Sequence, residues 1–187
     1  MVDLEGQQVA FLVAPEGVEQ VELTDPWQAV QDAGGTPRLV STKPGEIQAF
    51  HHLDKADTFV VDDVLPLGHQ DFVGLVLPGG VANPDQLRTN TAAVAFVKSF
   101  FDSGKPVAAI CHAPWTLIEA GVLLGRTVTS WPSLRTDLRN AGAMWVDEPV
   151  AVCENGRSML VTSRKPDDLK AFDEAFLNVF ANRVRVR

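Results

Sequence analysis

Residues Gln8-Val9-Ala10-Phe11-Leu12-Val13-Ala14 form a nearly unbroken apolar run that stops at Pro15, the pattern of a strand covered on both faces in a parallel sheet. Such a strand needs helices around it, and the next stretch supplies one. Over residues 19–33 the apolar side chains Val21, Leu23, Trp27 and Val30, with Val18 just ahead, recur at helical intervals, and Gly34-Gly35 ends the segment. Thr36–Ser41 predicts a second short strand. Residues 42–71 lose this regularity: Pro44, Gly45, Pro66 and Gly68 mark loops, and a short strand is expected only around Thr58-Phe59-Val60-Val61.

Alternation resumes at Phe72–Leu77, an apolar strand that runs into Pro78-Gly79-Gly80. An amphipathic helix over Thr91–Asp102 follows and is closed by Gly104-Lys105-Pro106. Val107–Ile110 predicts another buried strand, then comes Cys111-His112-Ala113, with Pro114 suited to the first position of a helix that ends near Gly121. A strand over 125–130 and a short helix over 133–141 complete this portion. Strands over 150–154 and 157–162 flank Asn155-Gly156, a strong hairpin signal. The closing helix, 166–181, places Leu169, Phe172, Phe176 and Phe180 on one face. Alternating strands and helices with one antiparallel hairpin add up to a three-layer α/β/α sandwich with a mostly parallel sheet. No repeat or linker divides the chain, so residues 1–187 are expected to form one domain.

Composition narrows the function. A hydrophobic content of 45% with 21% charged residues excludes disorder. Sixteen Lys and Arg against 24 Asp and Glu give a formal charge of -8, with Arg183, Arg185 and Arg187 as the basic cluster, which argues against nucleic acid and anionic membrane as partners. No stretch approaches the roughly 20 apolar residues needed to span a bilayer, and Met1-Val2-Asp3-Leu4-Glu5 lacks a basic leader, so a cytoplasmic location is expected. The two cysteines, Cys111 and Cys153, are expected to be free thiols.

In an open α/β sheet ligands gather beyond the carboxyl ends of the strands, which directs attention to the loops after Ala14, Leu77 and Ile110. Cys111 stands at a strand-to-helix corner that lifts its side chain off the sheet, a cysteine version of the nucleophile elbow. There the following helix N-terminus is expected to favour the thiolate. Gly79-Gly80 after the neighbouring strand could turn backbone N–H groups toward the same point and, with the N–H of His112, hold a developing oxyanion. After Ala14, Glu16 and Glu19 read as solvated first-turn residues. Glu22 lies one turn further on between apolar Val21 and Leu23, where a buried, protonated carboxyl could hydrogen-bond the Cys111 sulfur.

Ala109-Ile110-Cys111-His112-Ala113-Pro114, with Gly104-Lys105-Pro106 and Leu77-Pro78-Gly79-Gly80 before it, resembles the ThiJ/PfpI family, in particular its PfpI-type branch of intracellular peptidases and stress proteins. Val21-Glu22-Leu23, Pro84-Asp85-Gln86-Leu87-Arg88 and the stretch from Ala141-Gly142-Ala143 to Thr162-Ser163-Arg164 extend the likeness along nearly the whole chain. The resemblance implies a flavodoxin-like sandwich, Cys111 as nucleophile, His112 as neighbouring base and Glu22 hydrogen-bonded to the sulfur. It further implies a homo-oligomer, dimer or hexamer, in which Asp85 reaches the site of a neighbouring subunit. Ala113 replaces a usual Gly, Asp85 is shorter than the frequent Glu, and Trp115 replaces a commonly polar residue.

The resemblance implies one of three activities. The leading one is cofactor-free attack of Cys111 on reactive carbonyls, of the glyoxalase or deglycase type, with small carbonyl compounds or glycated or unfolded protein as partners. The alternatives are peptide hydrolysis at the same site and a redox-sensing or chaperone role for an oxidisable Cys111. Glutamine amidotransfer needs a His downstream of the cysteine, and none follows His112 among His51, His52, His69 and His112. His51 and His52 read as surface residues rather than metal ligands, and Cys153 as structural. No nucleotide-binding fingerprint is present, and neither a metal nor another cofactor is expected.

Overall fold

The computed structural model describes residues 2–185, with side chains described through residue 182. Strand β1 (Gln8–Val13) is followed by β2 (Glu16–Glu19) and helix α1 (Gln20–Asp32), then β3 (Thr36–Ser41), β4 (Glu46–His51), β5 (Asp54–Val60) and β6 (Asp63–Val64). Next come β7 (Phe72–Leu77), α2 (Ala82–Arg88), α3 (Thr91–Asp102), β8 (Val107–Ile110) and α4 (Pro114–Glu119). The chain continues through β9 (Thr127–Val128), α5 (Arg135–Asn140), β10 (Met144–Trp145), β11 (Val150–Cys153), β12 (Leu160–Ser163) and α6 (Leu169–Arg185).

Seven strands in the order β11-β12-β8-β7-β1-β3-β6 form the central sheet, every neighbouring pair parallel except β11 with β12. The apolar run that opens the chain explains its place beside β7 and β3. Ala10, Leu12 and Ala14 face one core with Phe96 and Phe100 of α3, while Val9, Phe11 and Val13 face the other with Phe172, Phe176 and Phe180 of α6. Period-two alternation with both faces buried makes this a three-layer sandwich of the flavodoxin-like type. Gly74 in β7 permits the α6 layer to sit down: a Cβ there would lie 2.6 Å from the Phe180 ring.

The structure departs from the sequence reading at four places. Residues 46–60, expected to be mostly loop, form the antiparallel hairpin β4–β5, and β2 pairs parallel to β4, giving a separate three-stranded sheet. Residues 82–88 are a helix. The strand expected over 125–130 shrinks to Thr127–Val128, which among the described residues pairs only with β10. The hairpin over Asn155-Gly156 is wider than a two-residue turn: Cys153 pairs with Leu160, and the Asn155 side chain donates to the Gly125 carbonyl at 2.7 Å. Among the described residues no helix is long and apolar enough to cross a membrane.

Candidate active site

β8 ends at Ile110, and the chain reverses at once. Cys111 has φ +64°, a left-handed conformation that an L side chain with a Cβ rarely adopts and that costs on the order of 1–3 kcal/mol. The surroundings hold it there: its N–H donates to Ser163 O at 3.1 Å, and its carbonyl accepts from Trp131 N–H at 2.9 Å. The strained turn lifts the thiol off the sheet edge into a cleft of about 160 Å³ lined by Glu19, Glu22, His52, Leu53, Gly80, Val81, His112, Trp131 and Pro166.

Glu22 reaches this point from the first turn of α1 and is fully buried. Its Oε2 accepts from Gly79 N–H at 2.9 Å, the Gly80 N–H lies against the same carboxyl, and the Cys111 thiol shares a hydrogen bond with it. Burial pushes Glu22 up to about 8, so it carries a proton at neutral pH. Oε1 has no hydrogen-bond partner among the described residues, and a proton on the carboxyl spares that atom the cost of a buried, unpaired anion. Gly79 has no room for a side chain: a Cβ would strike Glu22 Oε2 and stand 2.6 Å from the Cys111 Cβ.

Helix α4 is only six residues long, and burial outweighs it. Desolvation, then the neighbouring Glu22, pushes the Cys111 thiol above the ordinary cysteine range, opposite to the expected thiolate. Holding a proton on Glu22 removes the like-charge part of that penalty and makes its carboxyl a donor to sulfur. The N–H groups of Gly80 and His112 also act on the sulfur in favour of the anion. Gly79 does not join them, because its N–H is spent on Glu22.

His112 Nδ1 lies 3.1 Å from Cys111 Sγ, and burial lowers its pKa to about 4, so the ring is neutral near pH 7. A neutral ring whose Nδ1 accepts from the thiol carries its hydrogen on Nε2, which faces Ser133 Oγ at 3.5 Å. Trp131 stacks on the imidazole at 5.6 Å and 24°, and Trp115 packs at 5.2 Å from the other contact. Arg88 lies 5.0 Å over the Trp115 ring, whose Nε1 donates to Asp137 at 2.9 Å.

Cys111, His112, Glu22 and Gly80 thus converge, and Gly79 supports Glu22. Asp85 stands apart: on α2 its side chain is 56% exposed, pairs with Arg88 at 3.2 Å and does not line the cleft. Both thiols are free, with Cys153 buried in β11.

Three residues of the site region escaped the sequence reading. Glu19, read as solvated, has a side chain only 13% exposed and binds the hairpin tip, accepting from His52 N–H at 3.0 Å. His52, read as an ordinary surface residue, adopts φ +57° at the β4–β5 turn and lines the cleft. Asn83 is fully buried and ties three loops together, its Oδ1 accepting from Ala14 N–H at 2.7 Å and its Nδ2 donating to Pro78 O at 2.9 Å and Gly79 O at 3.0 Å. An Asn beside Pro84 resembles an ordinary turn signal, which hid it. A larger cavity of about 420 Å³ between Leu23, Trp27, Leu39 and Phe59 has no cysteine or histidine in its lining.

Comparison with known proteins identifies the family. The DJ-1/PfpI family matches residues 7–179. A deglycase of Pyrococcus horikoshii is 41% identical over 172 residues, covering 92% of this chain and 98% of that protein. General stress protein 18 of Bacillus subtilis is 40% identical, covering 85% and 90%. Protein/nucleic acid deglycase 2 of Escherichia coli K12 is 37% identical, covering 92% and 97%. That last name runs against excluding nucleic acid by net charge: charge argues against gripping a phosphate backbone, and says nothing about an adduct carried on a base. Among solved structures, a two-domain protein of Anabaena variabilis with DJ-1/ThiJ/PfpI-like and ferritin-like domains superposes with a TM-score of 0.84 at 32% identity, covering 92% of this chain and 47% of that one. Matched by the family over nearly its full length, and by relatives at 37–41% identity, this chain belongs to the DJ-1/PfpI family.

Proposed function

We propose that this protein is a cofactor-independent cysteine enzyme that removes reactive α-oxoaldehydes and their adducts on amines, with Cys111 as nucleophile. One observation carries the reading: a thiol in a strained elbow at the floor of a small cleft, 3.1 Å from a neutral imidazole and hydrogen-bonded to a protonated carboxyl. The deglycase names of two relatives support the substrate class.

His112 Nδ1 takes the thiol proton as sulfur attacks the aldehyde carbon. The carbonyl electron pair moves to oxygen, where the N–H groups of Gly80 and His112 oppose the growing charge and a proton from His112 completes a hemithioacetal. Moving the C1 proton to C2 through an enediol gives a thioester, and water releases lactate from methylglyoxal and restores the thiol. Hydration and internal rearrangement leave the net oxidation state unchanged, so no external electron acceptor is required. An amine adduct, whose C1 is a hemiaminal carbon, first breaks its C–N bond: the hydroxyl loses its proton as C1=O re-forms and the nitrogen gains one as the amine leaves, whether that amine belongs to a protein or to a nucleobase, and the freed aldehyde then takes the same attack.

A cleft of about 160 Å³ suits a small carbonyl better than an extended peptide, and a thiol pushed upward is less readily oxidised than a stable thiolate. We place the activity in the cytoplasm, in a single-domain subunit of a homo-oligomer whose Asp85 approaches a neighbouring site. The test follows methylglyoxal and its adduct with Nα-acetyl-lysine by NMR. Wild type and Cys153→Ser are expected to yield lactate and free amine, Cys111→Ser neither; equal yields from Cys111→Ser would overturn the reading.

A further inference from the structure

The described residues include eight large hydrophobic side chains that stand exposed, and three of these, Leu53 (93% exposed), Val81 (57%) and Trp131 (37%), line the Cys111 cleft. They come from three separate elements: the β4–β5 turn, the start of α2 and the segment before α5. Apolar side chains scattered singly over a surface need no explanation, but three converging on one small cleft form a wall. Leu53 is presented deliberately. The preceding His52 is held in a left-handed turn by its N–H bond to Glu19, and that tie sets where the tip of the hairpin overhangs the site.

Charge adds a second constraint. The cleft lining includes the carboxylate of Glu19 and no Lys or Arg. Basic residues in the segments that lead to and from the lining residues pair with acids: Arg88 with Asp85 at 3.2 Å, Arg164 with Asp147 and Asp168 at 2.8 Å each, and Lys165 with Asp167 at 3.0 Å. An anionic substituent on the substrate would therefore meet Glu19 in a chain of net charge -8, with no Lys or Arg among the described lining residues to receive it. An Asp85 delivered from a second copy would add to the same sign.

Resting on the Cys111 carbonyl reading, we propose that this cleft selects uncharged α-oxoaldehydes bearing an apolar or aryl substituent and rejects anionic ones, with Leu53 and Val81 as the apolar wall and Glu19 as the excluding charge. Trp131 contributes to the wall as well, but its stacking on His112 makes it unsuitable for a selective test.

The experiment compares kcat/KM for phenylglyoxal, methylglyoxal and 4,5-dioxovalerate, three compounds with the same reacting group and different substituents, on the full-length protein. Wild type is expected to favour phenylglyoxal over methylglyoxal by about tenfold and to disfavour the carboxylate-bearing compound by at least about tenfold, the range one apolar contact or one unpaired charge provides. Leu53→Ser and Val81→Ser should each lower the phenylglyoxal-to-methylglyoxal ratio about threefold or more, and Glu19→Gln should raise the 4,5-dioxovalerate-to-methylglyoxal ratio. Because each reading is a ratio, a variant that merely loosens the fold lowers both rates and leaves it unmoved. Equal kcat/KM for the three compounds, or ratios that none of the variants shifts, would overturn this specificity while leaving the Cys111 reading intact. Failure of wild type to consume any of them would overturn both.

Discussion

At the scale of single residues the site is a question of where one proton sits. Glu22, between Val21 and Leu23 on an amphipathic helix, could be read as a candidate for burial but not as a certainty, since neighbours at i-1 and i+1 do not fix which way a helical side chain faces, and the structure buries it. The state of Cys111 was not legible, because the short helix after it could be read from Pro114 while the depth of burial could not. Glu22, ordinarily near 4.5 and raised to about 8, binds its proton more tightly folded than unfolded. Stability is therefore unaffected below about pH 4.5, falls as pH rises through that window and levels off above 8. Asp173 on α6, raised to about 8 by burial and by facing Asp25 of α1, has the same sign. The share of Glu22 is isolated by substitution: Glu22→Gln is expected to gain about 1–3 kcal/mol at pH 8 and little at pH 4, read from urea unfolding curves, while losing carbonyl turnover about a hundredfold. A variant that is no more stable at pH 8 would show that Glu22 is not held protonated. Turnover in the wild type should hold between the two limbs, failing below about 4 as His112 protonates and above about 8 as Glu22 ionises. A pH profile whose alkaline limb lies near 6 would contradict the assignment.

At the scale of elements, the strands and helices of the central sandwich were legible because both cores impose a period. β1 alternates between them, and Phe172, Phe176 and Phe180 of α6 cover one of them. The β4–β5 hairpin was not legible. β5 reads Asp54-Lys55-Ala56-Asp57-Thr58-Phe59-Val60 and is largely exposed, so no alternation announces it, and its turn at His52 uses neither Gly nor Asn. Helix α2 was hidden by its length and by Asn83-Pro84. Yet these two elements complete the site, the hairpin by overhanging it and α2 by sending Asn83 back into the loops after β1 and β7. Three buried hydrogen bonds depend on that one amide, at about 1 kcal/mol each. Asn83→Ala is expected to cost about 2–4 kcal/mol in thermal or urea unfolding and to slow turnover by displacing Gly79 from Glu22; a loss under 1 kcal/mol with unchanged kcat would show that the loops hold their positions without it.

At the scale of the whole molecule, the net acidic charge and the exposed Asp85–Arg88 pair bear on the homo-oligomer proposed above. The resemblance implied a carboxylate shared between subunits; within one chain Asp85 lies outside its own cleft and pairs with Arg88, so a role at a neighbouring site would have to draw it from that pair. Mixing inactive Cys111→Ser with impaired Asp85→Asn protein under conditions that allow subunit exchange should restore sites that combine an intact cysteine with an intact aspartate, and activity should rise above the sum of the parents. No rise, with mixed oligomers shown by native mass spectrometry, would place Asp85 outside catalysis. The exclusion of nucleic acid by net charge conflicts with the name of the Escherichia coli relative, a protein/nucleic acid deglycase.

The central claim is that carbon bonds to the sulfur of Cys111. Methylglyoxal labelled with ¹³C at the aldehyde carbon, mixed with excess wild-type protein, should show by NMR a sulfur-bound hemithioacetal or thioester carbon that decays into labelled lactate, with neither signal in Cys111→Ser. Labelled lactate from Cys111→Ser at the wild-type rate would contradict the account.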